Sequence, residues 1–84
     1  MIEANIFEEL TPIFRDTFDD DSITPIPTMT AADVDGWDSL GHIRLIVAVE
    51  AHFGIKFAAF EISGWPNVGA FVQAIQKHLA ANGR

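Results

Sequence analysis

Between Asp38 and Gly54, the apolar residues Leu45, Ile46, Val49 and Phe53 recur at the spacing of one helical face, and no other feature constrains the fold as much. The segment from Ser39 to Phe53 is rich in β-branched residues and could be mistaken for a strand, but its length argues for a helix. Asp38 is placed to cap its start, since a carboxylate there accepts backbone N–H bonds and faces the positive end of the helix dipole. Gly54 is a natural stop.

Two further segments carry the same kind of stripe. From about Glu3 to Phe18, Phe7, Leu10, Phe14 and Phe18 draw one face, with Ile6 and Ile13 beside them. Pro12 interrupts this run: Thr11 could cap a new start with Pro12 at its first position, or the helix could kink there. Near the other end, Asn67 precedes the stripe Val68, Phe71, Val72, Ile75 and Leu79, which predicts a last helix capped by Asn67. A short piece, Ala59 to Trp65, predicts a helical turn or two ended by Pro66. Between the first two stripes, Asp19-Asp20-Asp21-Ser22 breaks the pattern, and Pro25 and Pro27 keep the chain extended to about Trp37. So long a connection must be pinned, and Ile23, Ile26, Met29 and Val34 are the expected pins. The expectation is an all-α bundle of three main helices and one short helix with a long first loop, in a single domain spanning residues 1–84.

An 84-residue chain without cysteine has neither disulfides nor thiolate metal sites to stabilise it, so stability must come from packing. A hydrophobic fraction of 49%, with seven Phe and two Trp, permits this. Met-Ile-Glu-Ala-Asn lacks the basic start of a signal peptide, and the run Leu45 to Val49 is too short to cross a bilayer, so a cytoplasmic setting without membrane insertion is expected. Twelve acidic residues oppose five basic ones, and the net charge of −7 disfavours nucleic acid and anionic membranes as partners.

Within Gly36-Trp37-Asp38-Ser39-Leu40-Gly41, a serine hydroxyl stands where a turn gives way to a helix, and nothing nearby in sequence looks able to activate it. Asp38-Ser39-Leu40 at the start of an apolar helix ending Phe53-Gly54-Ile55, in an acidic chain of this length, resembles the acyl carrier proteins of the phosphopantetheine-binding family. The resemblance extends over nearly the whole chain. It implies that a separate phosphopantetheinyl transferase moves the 4′-phosphopantetheine arm of coenzyme A onto Ser39. Acyl groups are then held as thioesters on that arm and ferried between loading and processing enzymes by a carrier with no catalysis of its own. A helix N-terminus suits a phosphodiester. By the same resemblance, Asp38 and Leu40 are recognition residues for partner enzymes, with Ile43, Arg44, Val47 and Glu50 on the same helix. Ile43, Val47, Ile62 and Trp65 would edge a cavity sheltering the acyl chain, and the bulk of Trp65 would shorten it. Monomer is the natural expectation for a carrier that must visit several active sites.

The chain also departs from the family pattern. Carriers of fatty acid synthesis usually have several acids on the second helix, whereas this one offers only Glu50 in its interior, with Gly41 and Arg44 at positions often acidic. That favours a specialised lipid, secondary-metabolite or sugar-acylation pathway. The alternatives are an aminoacyl or peptidyl carrier using the same serine, and a helical interaction module in which Ser39 is only a capping residue. Ordinary core is the plain reading of Ile43 and Val47, and a solvated helix face that of Arg44 and Glu50. His42, His52 and His78 read as surface histidines rather than metal ligands. A calcium loop started at Asp33 would need glycine where Asp38 stands and glutamate where Arg44 stands.

Overall fold

In a computed structural model that describes residues 2–83, the stripes form α1 (Glu3–Thr17), α2 (Ser39–Phe53) and α4 (Val68–Ala81), with α3 (Ala59–Ile62) between the last two. No strand is present among the described residues, as the all-α expectation required. Ile6, Leu10 and Phe14 of α1 meet Leu45, Ile46, Val49 and Phe53 of α2 and Val68, Phe71, Val72, Ile75 and Leu79 of α4 in one core. Each fully buried aliphatic or phenyl side chain contributes on the order of 1.5–3 kcal/mol, so this three-helix seam is the main source of stability.

Pro12 does not divide α1, which runs through it unbroken. Thr11 caps no new helix. Its hydroxyl instead donates to the carbonyl of Phe7 one turn back, at 2.9 Å. Pro12 lies on the exposed side, away from the buried stripe.

The long loop is held by backbone as much as by side chains. The first N–H groups of any helix lack intrahelical partners. Here Val68 N–H donates to Met29 O at 2.8 Å and Gly69 N–H to Pro27 O at 2.9 Å, so the loop's carbonyls close the start of α4. Asn67 caps the same end as expected, accepting from Ala70 N–H at 2.9 Å. On the other side, Arg15 donates through Nε to Ile23 O at 2.8 Å, fastening the loop to the last turn of α1. Ile23 and Val34 are buried and Met29 is partly so, but Ile26 is half exposed and pins nothing; Pro25 is buried in its place. The loop also contains a 3₁₀ turn at Ala31–Asp33 where continuous extended chain was expected. Thr30 and Asp33 account for it: Asp33 accepts from Thr30 N–H at 2.9 Å, and Asp33 N–H returns to Thr30 O at 3.0 Å.

α3 is shorter than the stretch to Trp65 suggested and ends at Ile62. Glu61 reaches back to accept Ala58 N–H at 2.7 Å, and Gly64 N–H closes on Glu61 O at 2.9 Å, so the helix is capped at both ends after one turn. None of its residues is buried.

Candidate functional site

Asp38 has extended backbone and accepts Gly41 N–H at 2.8 Å through Oδ1, so it is the N-cap of α2. Ser39 is then the first helical residue. It is exposed, and the capping duty considered for it is carried out by its neighbour. Asp38→Ala is expected to lower stability by about 1 kcal/mol, a fall of roughly 4–8 °C in Tm for a domain this size, while Asp38→Asn changes it little. Thermal melts of the two variants check this.

The turn before Ser39 is built on a close approach. Gly36 has φ +87°, in the left-handed region, and its carbonyl lies against the α-carbon of Gly41; a β-carbon there would stand 2.0 Å from Gly36 O. The turn and the first coil of α2 are thereby held together, with Ser39 presented between them.

Two histidines clasp α3. His42, one turn after Ser39, accepts the indole N–H of Trp37 at its Nδ1 (2.9 Å) and meets Ile62 O through Nε2 at 2.7 Å. The indole can only donate and the carbonyl can only accept, so the ring is the neutral tautomer protonated at Nε2. From α4, His78 Nε2 lies 3.1 Å from both carboxylate oxygens of Glu61. The bond from Ala58 N–H, and after it the neighbouring His78, holds the Glu61 carboxyl below its ordinary range. Both histidines are therefore half-buried structural groups, which corrects the surface reading. His52 does lie at the surface, 2.8 Å from Glu9 on α1. The sequence shows histidines and acids far apart, and only the fold pairs them. Among the described residues no three side chains are gathered as metal donors would be.

Leu40, Ile43, Arg44 and Val47 share one outward face of α2 at i, i+3, i+4 and i+7, with Leu40 and Val47 each 60% exposed. Phe60 on α3 is 83% exposed and adds an apolar group that the sequence reading did not single out. Glu50 does not share this face. It is half-buried, and its Oε2 accepts Phe57 N–H at 2.8 Å, tying the end of α2 to the segment that follows.

Beside this face lies a partly enclosed cavity of about 100 Å³ lined by Trp37, His42, Trp65, Asn67 and Phe71. Of the four residues expected at a cavity, Trp65 lines it. Ile62 packs against the core next to it, while Ile43 and Val47 stand on the exposed side of α2. Trp37, His42 and Phe71 were missed because the first two come from the turn and the far side of α2, and Phe71 belongs to a stripe that reads as core.

No protein-family model matches the chain. Its fold is similar to the solution NMR structure of a holo acyl carrier protein from Geobacter metallireducens, with a TM-score of 0.85 and 47% sequence identity over 90% of this chain and 87% of that one. The chain belongs to the acyl carrier protein family. The exposed Ser39 at the start of α2 follows from its own sequence and geometry. His42, the imidazole one turn from Ser39, is committed on both nitrogens to Trp37 and Ile62. No helix of the described residues is long and apolar enough to cross a membrane.

Proposed function

We propose that Ser39 carries 4′-phosphopantetheine, transferred from coenzyme A by a separate phosphopantetheinyl transferase, and that the chain delivers acyl groups without catalysing their reactions. The observation that carries this is a serine exposed at the first position of α2, relieved of capping by Asp38 and left without a free base by the bonds of His42. The residues present fit the arm. Nothing crowds the hydroxyl's exposed side, and the amino end of α2 favours a phosphodiester. When attached, the arm supplies a thiol on which acyl groups are held as thioesters. The protein supplies orientation, shelter and recognition.

The outer face of α2 supports a dedicated pathway rather than primary fatty acid synthesis. Leu40, Ile43 and Val47 surround Arg44, and no acid lies in the helix's first turn. A partner enzyme suited to this face offers apolar surface and a carboxylate opposite Arg44, rather than a basic patch alone.

The test is intact mass after incubation with coenzyme A, magnesium and a broad-specificity transferase. The expected result is a gain of about 340 Da, one arm per chain. A folded chain that gains nothing, with the host's own transferase as well, would leave only the interaction module.

A further inference from the structure

The cavity beside Ser39 is walled by interlocking rings. Trp65 meets Phe71 at 4.8 Å and Phe57 at 4.9 Å between ring centroids, and His42 touches Trp65 edge-on at 6.1 Å. His42 also stacks on Trp37 at 6.1 Å, and Trp37 sits edge-on against Phe14 of the core at 5.4 Å. Phe57 continues the chain of contacts to His78 at 5.0 Å. Apolar cavities lined by aliphatic side chains enlarge by rotamer changes. This one cannot do so cheaply, because moving Trp65 breaks contacts with Phe57, Phe71 and His42 together. His42 fixes its part of the wall as well, since its two hydrogen bonds join the turn before Ser39 to the end of α3.

Size then defines the guest. An apolar cavity of about 150 Å³ holds a benzene molecule, so about 100 Å³ leaves room for about four carbons.

We propose that this ring-walled cavity restricts the sheltered cargo to short acyl groups of about four carbons, with longer chains left outside the bundle. The inference rests on the carrier reading above and names the substrate class of that site.

The experiment loads the apo protein from acetyl-, butyryl-, hexanoyl-, octanoyl- and dodecanoyl-coenzyme A with a broad-specificity transferase, confirms each product by mass, and measures Tm against the holo form. Tm is expected to rise from acetyl to butyryl and to gain nothing from octanoyl or dodecanoyl. In Trp65→Leu, or in Phe71→Leu should the first fail to fold, the most stabilising chain should lengthen by two carbons or more. A Tm that climbs steadily through octanoyl in the native chain would overturn the limit while leaving the carrier reading intact, and so would a variant profile identical to the native one. Failure to acquire any acyl arm would overturn both.

Discussion

Ser39→Ala is expected to abolish the gain in mass completely while leaving Tm almost unchanged. The two outcomes are separable because different atoms are responsible. The bond that closes the start of α2 runs from Gly41 N–H to Asp38, so the serine hydroxyl contributes little to the helix. Surface substitutions away from caps and cores usually fall within about 0.5 kcal/mol, and alanine is well tolerated in a helix. In the proposed function the hydroxyl oxygen is nevertheless the nucleophile that must join to phosphorus, and no methyl group can replace it. Intact mass and a thermal melt on the same sample decide the matter. An arm still acquired by the alanine variant would place the attachment elsewhere, and a large fall in Tm would give Ser39 the structural role that Asp38 holds here.

Gly41→Ala should do the reverse, damaging the fold first and attachment only in consequence. The added β-carbon would lie 2.0 Å from Gly36 O and 3.1 Å from a ring carbon of Phe18. A flexible side chain could retreat from such a contact, but Gly36 O is backbone in a turn with φ +87° and has little room to yield. Overpacking typically costs about 1–3 kcal/mol, and a backbone collision belongs at the upper end, so a fall of roughly 12–24 °C in Tm is expected. Larger residues should prevent folding. A melt within a few degrees of native would show that the turn at Gly36 relaxes freely.

That collision gives a physical reason for one of the departures noted in the sequence. Gly41 stands where related carriers often place an acid, which by itself suggests a lost docking charge. The structure shows a position with no room for any side chain, because the preceding turn presses its carbonyl into it. Arg44, by contrast, is exposed and free to meet a partner. The stripes of α1, α2 and α4 were legible because burial on one face of a helix imposes a period that survives in the sequence. Both side-chain caps, Asp38 and Asn67, were legible because the residue types that can accept those N–H bonds are few. The cavity wall was not. Trp37, His42, Trp65 and Phe71 converge from the turn before α2, α2 itself, the segment after α3 and α4, and nothing in their spacing records it. The failure of Pro12 to break α1 has a similar origin: packing of Ile6, Leu10 and Phe14 on the core outweighs a local preference.

The absence of any buried residue in α3 has a consequence for how the molecule opens. α3 reaches the core only through the partly buried Ile62, so it can detach without the rest unfolding, and its amides should exchange with solvent through a local event of low free energy, far below that governing α1, α2 and α4. What resists that event is a pair of imidazoles, one from each neighbouring helix, together with the packing of Ile62. The domain therefore has two cooperative units, a three-helix frame and a single-turn flap, and His42, which lines the cavity, stands at the seam between them.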